Sequence, residues 1–120
     1  MKRFSGYPKV EVRPLPAGDN AYVLIETLAY RTDIIEQKNI IVHKGFVSDG
    51  ASVPRIFWPL FPPMGYYTAA AIVHDYICVE KICSSKDGAK IFLEAMKDLG
   101  VPKPVRYPMY LAVRVFGPRF

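Results

Sequence analysis

A proline-rich stretch in the middle of the chain limits its possible folds more than any other feature. Residues 54–63 (PRIFWPLFPP) hold four prolines in ten positions. Proline has a fixed φ angle and no backbone N–H to donate, so no long helix or strand can pass through this stretch. We expect at most one helical turn there, beginning at Pro54. We also expect Trp58 to be buried under the sheet; the alternative is that this apolar segment forms an exposed patch for a partner. Regular structure must therefore form separately on the two sides of residues 54–63.

The segment before this stretch has the patterns of short strands. Lys9 to Arg13 alternates apolar and polar residues, Ala21 to Tyr30 is rich in Val, Ile, Leu and Tyr, and Asn39 to His43 forms a third run, closed by Lys44-Gly45. The connections are too short for crossover helices. We therefore predict a small antiparallel sheet of about three strands.

The segment after it has the patterns of three helices. The first is predicted over about Tyr66 to Glu80 and the second from Ser84 or Ser85 to Leu99, with Gly100 as its stop. The third is predicted from Pro104 or Pro108 to Phe116. Strands followed by helices indicate an α+β fold, and the length of 120 residues predicts a single domain over residues 1–120.

Composition narrows the class of partner. The chain has 16 Lys and Arg against 11 Asp and Glu, a net charge of +5, which favours anionic partners. The basic residues are scattered and no nucleic-acid motif accompanies them, so nucleic-acid binding is not expected. No apolar run reaches the roughly 18 residues of a membrane span, and the basic N-terminus lacks the apolar core of a signal peptide. Contact with a membrane or envelope surface stays open as an alternative.

Cysteine usage predicts the compartment of synthesis. The two cysteines, Cys78 and Cys83, are not in a C-x-x-C pattern. We expect no disulfide framework, and synthesis in a reducing cytoplasm.

Polar residues on both sides of the proline-rich stretch need partners. Residues 45–54 (GFVSDGASVP) place small and acidic residues where a strand should end, and the apolar run 67–78 (YTAAAIVHDYIC) contains His74 beside Asp75. Buried polar groups cost free energy unless they are paired. The simplest solution is a structural clamp, in which Asp49 accepts a hydrogen bond from His74 and Asp75 binds loop amides. Such hydrogen bonds are each worth about 1 kcal/mol net, and up to roughly 3 kcal/mol when charged.

The same residues also suit a hydrolase. Loop oxygens together with a carboxylate would suit a hard cation such as calcium. A histidine has its ordinary pKa near neutrality and can take a proton from water as a general base, while the cation stabilises the oxyanion of an ester. The candidates are His74, Asp75 and Asp49 as catalytic residues, Asp75 and Asp49 as metal ligands, and Ser48, Gly50 and Ser52 as ligand-binding loop positions.

These motifs resemble a known family. The series G-F-V-S-D-G-A-S-V-P-R, then W-P, then A-A-x-x-H-D-Y, then a helix ending near L-G-V is similar to domain-of-unknown-function family 1353, found in bacteriophages and prophages. The resemblance covers about Gly45 to Gly117. It implies phage or prophage origin, and leaves the activity undefined.

A second, local resemblance is to secreted calcium-dependent phospholipases, which also carry a carbonyl-rich loop followed by a helical His-Asp pair. That resemblance implies His74 as the base and Asp75 as the calcium ligand. The chain departs from their pattern in two places. Cys78 stands where those enzymes have a Tyr, and Ala89 stands three residues before Phe92, where they have a supporting Asp. Their disulfides are also absent, and Asp49 is the residue that could replace the missing carboxylate.

Two hypotheses for function follow, and the sequence leaves open whether the chain is an enzyme. In the first, it is a bacteriophage-type accessory protein of the virion tail or of tail assembly, whose partners are other phage structural proteins. It would be made in the host cytoplasm and carried afterwards in the virion. In the second, it is a calcium-dependent ester hydrolase acting at host entry or lysis. An enclosed His74 favours the first, and an open cleft at His74 favours the second.

Overall fold

Strands precede helices in the folded chain. The structure, a computed structural model, describes residues 3–6, 8–14, 20–48 and 68–117. The elements in order are β1 (Val10–Pro14), β2 (Asn20–Leu24), β3 (Leu28–Arg31), β4 (Asn39–Val42), β5 (Val47–Ser48), α1 (Thr68–Glu80), α2 (Ser85–Asp98) and α3 (Lys103–Phe116). This order confirms the predicted α+β fold. The predicted turn at Pro54 and the predicted burial of Trp58 lie outside the described residues.

The strands form two sheets where the sequence predicted one. One sheet has the order β1-β2-β5 and the other pairs β3 with β4, and every pair is antiparallel, as predicted. The single strand predicted from Ala21 to Tyr30 is wrong, because the exposed residues 25–27 separate β2 from β3. Both halves of that apolar run are good strand sequence. Their composition does not mark the point where the chain changes its pairing partner.

The short strand β5 lies within the segment that the sequence analysis treated as a loop. Val47 pairs with Val23, and Ser48 pairs with Tyr22. Two residues are too few to show the alternation by which strands are recognised. The strand contributes to the site described below, because it packs beside α1 and buries the Ser48 side chain.

The ends of α2 follow from local chemistry. The Ser84 hydroxyl accepts a hydrogen bond from the backbone N–H of Asp87, 3.2 Å away, and so caps the first turn. Gly100 follows the helix with a φ of +79°, a conformation that favours glycine. The N–H of Val101 bonds to the carbonyl of Met96 at 3.0 Å, which completes a Schellman ending. Both predicted ends of this helix are confirmed.

Helix α3 begins at Lys103, one residue before the earlier of the two predicted starts. Pro104 occupies its first turn, where the missing N–H costs nothing, and Pro108 lies inside the helix. Pro108 is exposed, so its ring projects away from the core and only one helical hydrogen bond is lost.

Helix α1 lies in the interior. Every side chain from residue 69 to residue 75 is buried, and the helix packs against α2, β4 and β5. A helix that is apolar on all sides is typical of such a central position. The two polar residues of this run, His74 and Asp75, are thereby carried into the core. The predicted start of this helix near Tyr66 lies outside the described residues.

Among the residues that the structure describes, no helix combines the length and the apolar character needed to cross a membrane.

Candidate functional site

The imidazole of His74 is enclosed by protein. The residue is 2% exposed, and its ring lies 5.2 Å from the ring of Phe92 on α2, measured between centroids. Burial penalises the charged form and lowers the pKa of His74 to about 4. At pH 7 the ring is therefore neutral.

The neighbouring carboxylate joins α1 to the sheet. The hydroxyl of Ser48 on β5 donates a hydrogen bond to Oδ2 of Asp75, and both residues are buried. The contact spans 27 positions of sequence and crosses the proline-rich stretch. A buried carboxylate is costly without such donors, so this bond favours the observed approach of β5 to α1.

The thiol of Cys78 lies one helical turn after His74. Its Sγ is 3.8 Å from both Nδ1 and Nε2 of the imidazole. Burial, and to a lesser extent the Asp75 charge and Cys83, raise the pKa of the Cys78 thiol to about 12. Because the thiolate is the nucleophile, a thiol with this pKa is inert at neutral pH.

Gly88 allows α2 to approach the His74 side of α1. A Cβ at this position would lie 3.2 Å from Cγ2 of Ile77 and 4.0 Å from Nε2 of His74. The first distance is shorter than ordinary van der Waals contact. Glycine here brings the two helices close together and leaves room for the imidazole between them.

The predicted site residues divide into two groups. His74, Asp75 and Ser48 are described, and Asp75 meets Ser48 as a direct hydrogen-bond partner. Asp49, Gly50 and Ser52 lie outside the described residues, so the proposed approach of Asp49 to His74 stays a prediction.

A calcium site also stays a prediction, since it requires Asp49. Within residues 3–6, 8–14, 20–48 and 68–117, no three His, Cys, Asp or Glu side chains lie close enough together to hold a metal ion. Ala89, at the position of the supporting Asp in the phospholipase comparison, is fully buried and offers no carboxylate to the imidazole.

Sequence reasoning missed two contributors to the site. Gly88 has a detectable signal, because a glycine inside a helix costs roughly 0.5–1 kcal/mol relative to alanine and usually has a packing reason. Phe92 is a buried residue of α2, and its contact with His74 depends on the crossing of α1 and α2. No single-sequence pattern specifies that crossing.

The whole arrangement is a closed polar cluster in an apolar surrounding. It contains a neutral imidazole, a protonated thiol, and a carboxylate that accepts a bond from a serine hydroxyl. In this bond the Asp75 carboxylate orients the Ser48 hydroxyl. The geometry serves to join β5, α1 and α2.

The chain is thus an α+β protein whose first helix carries a buried His-Asp cluster. Residues 22–113 match the family described as "Protein of unknown function (DUF1353)". The matched region is more than half of the chain, and the chain therefore belongs to this family.

The chain is also similar to two uncharacterized proteins of Sinorhizobium fredii. It is 39% identical to protein y4jT over 72 residues, which are 58% of this chain and 21% of that protein. It is 33% identical to protein y4iH over 75 residues, which are 61% of this chain and 31% of that protein. The chain thus spans less than a third of the length of either relative. No solved structure matches it.

Proposed function

We propose that the chain is a non-catalytic accessory protein of a bacteriophage-type particle, associated with the tail or with its assembly. In this proposal it is made in the host cytoplasm and is carried afterwards in the virion. The cluster of Ser48, His74 and Asp75 fixes the fold, and the outer surface of the protein contacts other proteins of the particle.

The enclosed state of His74 is the observation that supports the non-catalytic part. A general base must reach the proton that it abstracts, directly or through one water molecule. The side chain of His74 is 2% exposed and packs against Phe92 and Cys78. A pKa of about 4 also makes it a weak base at neutral pH.

Two further observations support a role in contacting other proteins. In both S. fredii relatives the matching region is a minor part of a longer protein, as expected of a module that works together with other protein segments. Helix α3 also exposes large apolar side chains, among them Tyr107 at 45% and Leu111 at 56%. Exposed apolar groups of this kind often mark contact surfaces.

Calcium-dependent ester hydrolysis is the alternative that an assay must separate from this proposal. Purified protein would be incubated with a fluorogenic phospholipid and a soluble ester, in calcium and in a chelator. We expect no calcium-dependent turnover, because His74 is not accessible to a substrate-bound water. Turnover that requires calcium and disappears in a folded His74→Gln variant, while persisting in His43→Gln, would overturn the proposal.

Particle association is tested separately. Particles purified by density gradient from an induced lysate of a host that encodes the chain would be analysed by mass spectrometry. We expect the chain at constant stoichiometry to the tail proteins across gradient fractions. A chain abundant in the lysate but absent from the particle fractions would contradict virion association.

A further inference from the structure

A groove lies on the opposite side of α2 from His74. It is bounded by the N-terminal segment, by Ile34 between β3 and β4, and by α2 and α3. Its volume of about 540 Å³ is within the range of ligand-binding sites. Its lining includes Arg3, Lys90, Leu93, Lys97, Arg106 and Tyr107. None of these residues takes part in the Ser48–His74–Asp75 cluster, so the groove is a second, independent feature.

The acidic residues of the groove already have partners. Glu94 accepts hydrogen bonds from the Tyr30 hydroxyl at 2.8 Å and from the backbone N–H of Asp33 at 3.2 Å, and it lies 3.6 Å from the Arg3 guanidinium. Asp98 accepts from the backbone N–H of Arg3 at 3.0 Å. Arg3 in turn pairs with Asp33 at 2.9 Å. In the groove lining, the two carboxylates Glu94 and Asp98 stand against four positive charges, those of Arg3, Lys90, Lys97 and Arg106.

Three other cations of the groove are not compensated in this way. Among the described residues, no carboxylate oxygen lies within 4.0 Å of the charged nitrogens of Lys90, Lys97 or Arg106. Nη1 of Arg106 donates to the carbonyl of Val101 at 3.1 Å, and its buried Nε has no hydrogen-bond partner within the described part of the chain. The groove therefore carries an excess of positive charge that favours an anionic occupant.

The cations alternate with apolar surface along the groove. Lys90, Leu93 and Lys97 follow one another at helical spacing on α2, and seven residues of helix span about 10 Å. Tyr107 adds an aromatic surface from α3. An isolated phosphate is usually held by converging backbone N–H groups at a helix N-terminus. This elongated row of separated charges fits instead a ligand that carries several carboxylates along its length.

We propose that the groove docks an acidic segment of a partner protein, with apolar side chains interspersed among its carboxylates. Carboxylates would contact Lys90, Lys97 and Arg106, while apolar side chains would pack on Leu93 and Tyr107. That the partner is a protein of the same particle rests on the proposed function. Binding of an acidic segment to the groove can be tested without knowing the partner.

The test is selection from a displayed library of random 12-residue peptides on the immobilised wild-type chain. The selected peptides are expected to be enriched in Asp and Glu beside Leu, Phe or Trp. Their affinity, measured by fluorescence anisotropy, should fall as salt rises, because exposed charge pairs are screened. A peptide with its apolar residues changed to Ser should bind more weakly while keeping its charge.

A matched pair of variants locates the binding. The double substitution Lys90→Glu/Lys97→Glu reverses two charges in the groove, and Lys38→Glu/Lys44→Glu reverses two exposed charges outside it. We expect the first to weaken peptide binding at least tenfold and the second to change it less than twofold, with unchanged circular dichroism for both. Equal loss in the two variants, or no acidic enrichment in the selection, overturns the inference.

Competition with duplex DNA tests whether the groove binds acidic peptides specifically or binds any polyanion. Displacement of the selected peptide by DNA at equal charge concentration, with the Ser-substituted peptide binding as well as its parent, would also overturn the inference. A positive hydrolase assay would remove the proposed function and leave the groove result standing. The two can therefore fail separately.

Discussion

At the scale of the residue, His74 links the stability of the fold to pH. Its pKa is 6.5 in the unfolded chain and about 4 in the folded one. Between these values the unfolded chain binds a proton that the folded chain does not. The free energy of unfolding therefore falls as the pH is lowered from about 6.5 to about 4, by up to about 3 kcal/mol from this group.

Urea unfolding at several pH values between 7.5 and 4.5 measures this loss. His74→Leu removes the titrating group. Whatever its stability at pH 7, its free energy of unfolding should fall less between pH 6.5 and pH 4.5 than that of the wild type. His43→Gln is the control, since His43 is exposed and its substitution should leave the decrease at acid pH unchanged. Parallel pH profiles for the wild type and His74→Leu would show that the buried ring does not govern acid sensitivity.

The bond between Ser48 and Asp75 is the second feature at this scale. Ser48→Ala removes a hydroxyl donor from a buried carboxylate, and we expect the free energy of unfolding to fall by roughly 1–3 kcal/mol. A double-mutant cycle with Asp75→Asn, read by thermal or urea unfolding, isolates the coupling between the two side chains. Ser85→Ala, at a helix start with no such partner, should change stability by less than about 0.5 kcal/mol. A coupling near zero would mean that other contacts hold β5 to α1.

At the scale of the element, the packing of α1 on α2 depends on Gly88. Gly88→Val would place its branched side chain against Ile77 and is expected to cost about 1–3 kcal/mol. Gly88→Ala should cost less, because the gain in helix preference of roughly 0.5–1 kcal/mol offsets the tight contact. The thermal midpoint of each variant is the measurement. Ile77→Ala removes Cγ2, the atom that lies 3.2 Å from a Cβ built at position 88. It should therefore cost less stability in the Gly88→Val background than in the wild type, and a purely additive double variant would contradict this account.

The elements themselves differ in how far the sequence predicts them. The bounds of α2 follow from Ser84 and Gly100, because caps act through local backbone hydrogen bonds. The break between β2 and β3 and the strand β5 do not follow in this way. They depend on which distant strand supplies hydrogen bonds to residues 20–24 and 47–48, and no local pattern carries that information.

At the scale of the whole molecule, long-range bonds join the N-terminal segment to the helices. The N–H of Ser5 bonds to the carbonyl of Ala29 at 2.9 Å, the ring of Phe4 lies 4.7 Å from that of Tyr30, and the Tyr30 hydroxyl reaches Glu94. Burial, and then the bond to Glu94, raise the pKa of Tyr30. The sheets before the proline-rich stretch and the helices after it therefore share one electrostatic network.

The candidate site was predictable from sequence only in outline. His74 and Asp75 were identifiable as polar residues in an apolar helical run, and buried polar groups require partners. The identity of the partner of Asp75 was not predictable. Ser48 and Asp49 are adjacent in the same polar segment, and only the three-dimensional placement of β5 selects the Ser48 hydroxyl for Asp75. The groove beside Lys90 and Arg106 gave no sequence signal, because its residues are spread over four separate parts of the chain, namely Arg3, Ile34, α2 and α3.

The bond from Arg3 to Asp98 joins positions that are 95 residues apart, which has a consequence for biosynthesis. A ribosome adds about 5–20 residues per second, so Arg3 is made several seconds before Asp98. Until then the backbone N–H of Arg3 and the phenol of Tyr30 lack the carboxylates of α2 that they bind in the folded protein. A nascent chain stalled before α2 would consequently expose the inner surface of its sheets to chaperones and proteases.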